Sequence, residues 1–502
     1  MIKNNLPFSF KMNDAKQQFT LLSFSGSLKI SSLFEFVVEV ACSDEDINPN
    51  LLILKQATIK LDSAIEHTEE SYISGICTEF AFAGRIFDSF KYIIKLEPNI
   101  ARARFNKNSR VYQTFPLQLI VQDILLKNGI KNYKFQFANL SMMVPLEYVC
   151  QYNESDLDFI SRWLEKVGAY YFFEFSDGMD TLVITDNKES HRLLHRDKIA
   201  YSEANDLIAK ERISDFALSY KAIPGSYQMR NRDPEFLFGV FDMLGVVTKK
   251  SSFNHYEYGG NPKLQQIFPT LSIIETQRLK AQGVVGIGSS NLRRLNIGHL
   301  FSITKHPQNK NNDRYFITEV SIVANQTSFL NSDVNEPFYK NEFKVIPDEV
   351  QYRPQLKTKW PTFSGVLCAT IDAEGATTPF MDLFGRYKVK MPFDTALTWG
   401  GKASCWLRMV QPSAAGSDRG FHISLLKDDE VIIGFIEGDI DRPIILGAIN
   451  KKEGVVSPFN LMQDKIKTLG GHEMTFDNTP GNEYIKTKTK DGSVLSFEGN
   501  IF

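Results

Sequence analysis

Apolar residues at every second position, in short runs bounded by Gly, Pro, Asp or Asn, restrict this chain to a fold built mainly from brief β-strands. Phe34, Phe36, Val38 and Val40 alternate with Glu35 and Glu39, so one face of that strand can be buried while the other stays wet. Phe19–Phe24 reads as a strand, Ser25-Gly26-Ser27 as a turn, and Leu28–Ile30 as the start of the next strand. Ile73–Phe80 and Phe90–Leu96 continue the pattern, the latter stopped by Pro98. Composition agrees: 39 Phe stand against 4 Trp, and Phe in alternating runs suits packed β-structure. At 502 residues the chain has room for roughly three domains of about 100–200 residues.

Two helices interrupt the strands. Pro116–Lys127 carries Leu117, Ile120, Val121 and Ile124 at helical spacing, closed by Asn128-Gly129. Ser155 caps a second helix, with Asp156 and Asp158 in its positive first turn. Leu157, Ile160, Leu164 and Val167 form its stripe, Phe159 and Trp163 lie beside it, and Gly168 ends it. The strand Ala169–Phe175 follows, and Asp177-Gly178 turns into Leu182–Thr185, an α+β arrangement. No partner acid or base accompanies Asp156, Asp158 and Glu165, which read as helix-dipole and surface charges rather than catalytic carboxylates.

From Ile213 to Phe343 further strands are broken by Ile223-Pro224-Gly225 and Tyr258–Pro262. Glu275–Gln282 reads as helix, and Leu292–Thr304 with Arg314–Val323 as paired strands. The charged stretch Val345–Lys359, with Pro347 and Pro354, reads as a linker. Beyond Phe363 five short strands follow within about a hundred residues: Gly365–Thr370, Arg386–Met391, Ala403–Val410, Glu430–Phe435 and Pro443–Gly447. That density suits a small closed barrel of OB type. The tail strands Glu473–Asp477, Glu483–Lys490 and Ser493–Phe497 are rich in Thr, Lys and Glu and too brief to bury a core in one copy, which points to intertwined chains.

A formal net charge of −2 argues against a nucleic-acid partner, whose affinity needs clustered Lys and Arg. Arg102, Arg104, Lys107 and Arg110 are interleaved with Phe105 and Val111 and read as one solvated face. The N-terminus lacks an apolar core of signal-peptide length, and no stretch approaches the ~20 apolar residues of a membrane span. Synthesis in the cytoplasm without a classical export signal is expected. The five cysteines, Cys42, Cys77, Cys150, Cys368 and Cys405, make no C-x-x-C pair and are expected to be reduced and buried. The eight histidines (His67, His191, His195, His255, His299, His306, His422, His472) form no H-E-x-x-H. His191 and His195 share the spacing of a helical metal pair, but Arg192 and Arg196 flank them and no carboxylate ligand is evident. No G-x-S-x-G occurs, and Gly283–Gly288 lacks the order and the Lys of a P-loop, leaving loop glycines.

The segment Val149–Glu165 resembles the Q-Y-x-E-S-D-x-x-F-x-x-R-x-x-E signature of VgrG proteins, the spikes of type VI secretion systems. Gly385–Asp394 resembles that family's opening barrel strand and Cys405–Met409 its central strand. Asp429–Pro443 is similar to its G-D-E-V-x-V-x-F-x-x-G-D-P-D-R-P segment, with Asp428 in place of the Gly, Ile433 of the second Val and Ile440 of the Pro. Gly481–Ile485 fits the tail. Gly434, Gly438 and Asp439–Pro443 are read as fold determinants, with Arg442 pairing either Asp.

The resemblance implies a mainly β fold with some α: hub-like β-barrel domains, an OB-fold barrel and the start of an intertwined trimeric β-helix needle. It divides the chain into a phage-hub-like region at 1–350, with two related barrels and an inserted α+β part, an OB-fold domain at 360–450, and a neck with the beginning of the β-helix at 451–502. It further implies a structural spike that punctures membranes, is assembled in the cytoplasm within a baseplate and leaves through the contractile apparatus. The implied partners are two more copies of the chain, a hexameric Hcp-like tube protein, a PAAR-like tip protein, baseplate components and secreted effectors. No nucleic acid, cofactor, metal or catalytic residue is expected. The roughly twenty residues between Asn450 and Gly470 cannot fold a hydrolase, and the sequence stops at Phe502, so both usual positions for an enzyme are expected to be empty. Two alternatives stand beside this reading. One is the spike of an extracellular contractile particle or phage tail. The other is an OB-fold module binding oligosaccharide or nucleic acid, for which Trp399, Trp406 and Phe421 are candidate aromatics, with the alternation around Trp406 pointing to core.

Overall fold

The computed structural model describes all residues except 1–5, 63–69, 87, 139, 203–210, 233–239, 260–263, 265–266, 328–336, 376–377, 397–399, 414–418, 451–460 and 499–502. His67, Trp399, the Gly260–Pro262 part of a predicted turn and part of the predicted neck therefore lie outside the described residues. The chain forms two compact units. The first comprises Met1–Ser109, Thr114–Glu147 and Gln151–Pro361; the second comprises Arg110–Gln113, Tyr148–Cys150 and Thr362–Phe502.

The first unit is built on a 12-stranded sheet. Six strands come from the first hundred residues: β1 (Phe8–Met12), β2 (Thr20–Lys29), β3 (Glu35–Cys42), β4 (Gln56–Leu61), β5 (Ser71–Ile86) and β6 (Ser89–Glu97). Six come later: β7 (Arg192–Ala200), β8 (Ile213–Tyr220), β9 (Val284–Ser290), β10 (His299–Thr304), β11 (Arg314–Asn325) and β12 (Phe338–Pro347). The order is β1-β4-β5-β6-β3-β2-β11-β12-β9-β8, with β10 paired to β11 and β7 to β10. The two groups join where β2 runs antiparallel to β11, from Ser23 opposite Asn325 to Lys29 opposite Glu319. β10 takes the start of β11, with Leu300 opposite Phe316, so β2 and β10 share one edge of that long strand while β12 fills the other.

Alternation along β3 is as the sequence requires: Phe36, Val38 and Val40 are buried, while Glu35 and Glu39 pair across the sheet with Lys95 and Lys91. The abundant Phe residues form an aromatic core, with the Phe34 ring 5.1 Å from Phe173 and 5.5 Å from Phe175. Two glycine readings are corrected. Ser25–Ser27 is no turn but the middle of β2, where a Cβ on Gly26 would run into the Glu35 carbonyl and the Phe36 ring. Gly286 and Gly288 lie not in a loop but on β9, where a side chain would collide with Phe216 and Val345 or with Phe343. The predicted strand Leu292–Thr304 shortens to β10, and its pairing with β11 holds.

The first unit also holds three α-helices among its described residues. α1 (Leu117–Lys127) and α2 (Asp156–Lys166) occupy the expected spans, and the Ser155 hydroxyl accepts the Asp158 N–H at 3.0 Å. The hairpin Tyr170–Ser176 with Met179–Thr185 follows α2, joined by Tyr133–Gln136 running parallel to its second strand. α3 (Phe268–Lys280) starts seven residues earlier than the periodicity of Glu275–Gln282 suggests, because Pro269 is tolerated in the first turn, where no intrahelical N–H bond is due. It packs on a three-stranded sheet of Ser226–Arg232, Val240–Val246 and Asn254–Tyr258, with Tyr227, Met229, Val247 and Phe268 as its core.

The second unit holds β13 (Leu367–Ile371), β14 (Val389–Lys390), β15 (Glu430–Phe435) and β16 (Pro443–Ala448) in the order β14-β13-β15-β16. The expected strands Arg386–Met391 and Ala403–Val410 are mostly replaced by isolated bridges, Tyr387 to Leu407 and Met409 to Ile445. One reason is that the Val389 N–H goes to the Ser404 hydroxyl at 2.8 Å instead of to a backbone carbonyl. Beyond it, β17 (Gln463–Lys467), β18 (Glu473–Asp477), β19 (Tyr484–Lys488) and β20 (Val494–Glu498) make an antiparallel meander. All five cysteines are free thiols, but Cys368 is exposed, since strand parity on β13 turns it away from the buried Ala369 and Ile371. Among the described residues no helix is long and apolar enough to cross a membrane.

Candidate functional site

The Gln151–Glu165 signature proves to be a polar lock. Burying a carboxylate is costly unless it is hydrogen-bonded, and each carboxylate here finds partners inside the fold. Asp156 is buried and accepts from Gln151 Nε2 at 2.9 Å, Asn108 Nδ2 at 3.0 Å and Asn128 Nδ2 at 2.8 Å. Arg162 donates two parallel bonds to Glu154, Nε to Oε2 at 2.8 Å and Nη2 to Oε1 at 2.7 Å, with the guanidinium side chain 0% exposed. Burial pushes the Glu154 carboxyl up, and Arg162 pulls it back only in part. The Arg162 guanidinium also lies 4.1 Å over the Trp360 ring, and Trp163 meets Trp360 edge-on at 5.0 Å.

Glu165, the last signature residue, holds a distant segment. Its carboxylate accepts the Lys357 N–H at 2.9 Å, the Thr358 N–H at 3.0 Å and the Thr358 hydroxyl at 2.8 Å. Arg278 of α3 adds a bond to the Pro354 carbonyl at 2.6 Å and another to the Glu165 carbonyl. Arg353 donates to the Gly168 and Asp186 carbonyls at 2.8 and 2.7 Å. Two sequence readings change accordingly. Asp156 and Glu165 are buried anchors, not surface charges, and Val345–Lys359 is a strap clamped to the helices, not a free linker. The clamp links positions 192 and 193 apart in the chain, a distance that no local pattern signals.

The other predicted residues fall apart as a site. His191, in extended backbone, immediately precedes β7 and His195 lies within it, so the four-residue spacing follows an extended chain of about 13 Å rather than one helical turn. His191 stacks on Phe316 at 3.7 Å and meets the Tyr170 hydroxyl at 2.6 Å, and burial pushes it down to about 3. Among the described residues no group of three or more His, Cys, Asp or Glu side chains gathers as a metal centre. Arg104 pairs with the buried Glu97, Arg102 donates to the Leu54 carbonyl, and Arg110 lies over Tyr112. Trp406 is not core. Parity gives that role to Cys405 and Leu407, and Trp406 is half-buried under Lys388 Nζ, 5.0 Å from its ring. Phe421 is exposed.

In the second unit Arg442 pairs with Glu437 rather than with either neighbouring Asp. Asp441, 1% exposed, instead accepts the Cys150 N–H at 2.6 Å, and Asp394 accepts the Val111 N–H at 3.2 Å. Asp441 of the D-I-D-R-P run thus fastens the Tyr148–Cys150 stretch of chain into this unit. The meander β17–β20 is a different case. Its buried strand residues are Thr475 and Asp477, while Ile466, Ile485, Val494, Leu495 and Phe497 are exposed. No apolar residue after Ile445 is buried among the described residues.

Hub sheet, helix lock and OB-type unit define a baseplate-hub protein. The chain matches the phage tail baseplate hub (GPD) family over residues 29–328, more than half its length, and it belongs to that family. Residues 382–449 match the type VI secretion system/phage-baseplate injector OB domain. The type VI secretion system spike protein VgrG5 of Pseudomonas aeruginosa is 26% identical over 511 residues, covering 96% of this chain and 63% of the relative. The actin cross-linking toxin VgrG1 of Vibrio cholerae is 26% identical over 471 residues, covering 90% and 42%. The VgrG resemblance therefore stands, with the chain spanning 63% and 42% of these two relatives. Among solved structures, an Escherichia coli component of the type VI secretion system, described as similar to the T4 bacteriophage tail proteins gp27 and gp5, shares the fold. Its TM-score is 0.64 at 21% identity, over 88% of this chain and 100% of that one. A VgrG complex with PdpA from Francisella gives 0.65 at 12% identity, over 99% and 87%.

Proposed function

We propose that this chain is the structural spike of a contractile injection system of the type VI class, acting as a homotrimer without enzymatic activity of its own. The observation that carries this reading is the meander β17–β20, a sheet with apolar residues on its surface and no apolar core. A sheet of that kind gains stability when other copies cover it. We assign residues 1–350 to a hub region with two related barrels and an inserted α+β part, 360–450 to the OB domain, and 451–502 to the neck and first turns of a trimeric β-helix. The chain then docks on a hexameric Hcp-like tube, contacts baseplate components, carries a PAAR-like tip and delivers effectors. It is assembled in the cytoplasm and expelled by sheath contraction. The carboxylates of the lock support a mechanical role, because each is spent on holding the fold.

The family's own description supports a second reading, the hub of a phage tail or extracellular particle. The test is export from the native host. Tagged chain is expected in the medium of cells with an intact sheath and only inside cells lacking the sheath gene. Equal release from both, in step with cell lysis, favours the particle reading.

A further inference from the structure

A cavity of about 330 Å³ opens in the first unit between β8, β9, β11, β12, α3 and the strap. Its walls carry Lys29, Lys221, Arg278, Lys344, Arg353 and Lys357 against a single carboxylate, Glu319. Glu319 is already shared by Lys29 and Lys344, each at 3.0 Å, and Arg278 has Glu275. That leaves Lys221, Arg353 and Lys357 without a carboxylate partner among the described residues. Arg353 is the telling one. It is 5% exposed, yet its bonds go only to neutral oxygens, those of Gln277, Gly168 and Asp186. A buried charge is costly unless a counter-charge compensates it. Burial lowers the Arg353 guanidinium below its usual range, Tyr170 and the Asp186 charge offset this only in part, and Arg278 adds repulsion.

We infer that this cavity binds a small polyanion carrying two or more phosphate or carboxylate groups. Its volume lies at the lower end of small-molecule pockets, of about 300–1,000 Å³. Gln282, Gln355 and Ser219 add neutral donors to the wall. A single negative charge would leave most of the excess uncompensated, whereas a multivalent anion answers the exposed Lys221 and Lys357 together with the buried Arg353. Such a ligand would also tie the strap residues Arg353 and Lys357 to the sheet.

The test uses the full chain at low ionic strength, where charge screening is weak. Pyrophosphate and citrate are titrated separately by calorimetry, and melting temperature is followed in parallel. Saturable binding of one or both, with a raised melting temperature, is expected. Pyrophosphate alone identifies a phosphate-bearing ligand and citrate alone a carboxylate. The double variant Lys221→Glu with Lys357→Glu changes only exposed side chains, keeps its fold, and is expected to bind at least tenfold more weakly. Absence of saturable binding by both anions, or unchanged affinity in the double variant, overturns the inference.

Discussion

The helix lock of the first unit and the C-terminal meander solve the problem of burial in opposite ways. Around α2 the buried Glu154, Asp156, Arg162 and Glu165 each have hydrogen-bond partners in the same chain, and Trp163, Trp360 and the aromatic cluster at Phe34 supply an apolar core. In β17–β20 each strand is laddered to its neighbours, but Ile485, Leu495 and Phe497 are exposed. Backbone hydrogen bonds alone contribute little net stability, since water offers the same bonds to the unfolded chain. The lock is thus finished within one copy, and the meander is not. The proposed spike role calls for both, a part that stays rigid under load and a part completed by assembly.

The contrast can be broken most forcefully at Arg162. Replacing it with Ala strands the Glu154 carboxylate in the interior, and a loss of about 3–5 kcal/mol in urea unfolding is expected. A loss below about 1 kcal/mol would mean that the lock is not what stabilises the hub. Acid acts next. His191 sits at about 3 when folded and at its ordinary 6.5 when unfolded, so the unfolded chain binds the extra proton first as pH falls. The His191 contribution is present above pH 6.5 and is lost progressively from there down to about 3. Between pH 7 and pH 5 stability should fall by about 2 kcal/mol more in the native chain than in His191→Phe; parallel unfolding curves would remove His191 from the account.

A smaller effect is expected at the strap. Glu165→Gln keeps the shape but gives up the charge and one acceptor site, at a cost of about 1 kcal/mol. Hydrogen exchange should quicken at Lys357 and Thr358 and stay unchanged in β3. The smallest change in hub stability belongs to the meander. Ile485→Lys with Phe497→Lys should leave the main unfolding transition within about 0.5 kcal/mol of the native value while lowering the oligomer mass. A large loss of hub stability would erase the distinction between the two regions.

What was legible in the sequence follows the same divide. α1 and α2 could be read to within a residue because caps and stripes are local: Ser155 before Asp156, and Leu117, Ile120, Val121 and Ile124 in step. The meander strands were equally plain from their turns, except β17. The lock itself was visible as a motif but misread as surface charge. The acceptor roles of Asp156 and Glu165 depend on Asn128, Lys357 and Thr358, and in a single sequence nothing connects position 165 with 357. The same holds for Asp441 and Cys150, 291 positions apart, where the adjacent Arg442 looked the obvious partner. Glycines misled in the other direction. Gly26, Gly286 and Gly288 suggest turns, but they sit in strands because aromatic rings occupy the space a side chain would need.

Light scattering of the purified full chain tests the central claim most directly, that the meander finds its apolar core only between copies. The account predicts a mass three times the 57.2 kDa of one chain. A stable 57.2 kDa monomer whose Glu473–Asp477 amides are still protected from exchange would contradict it.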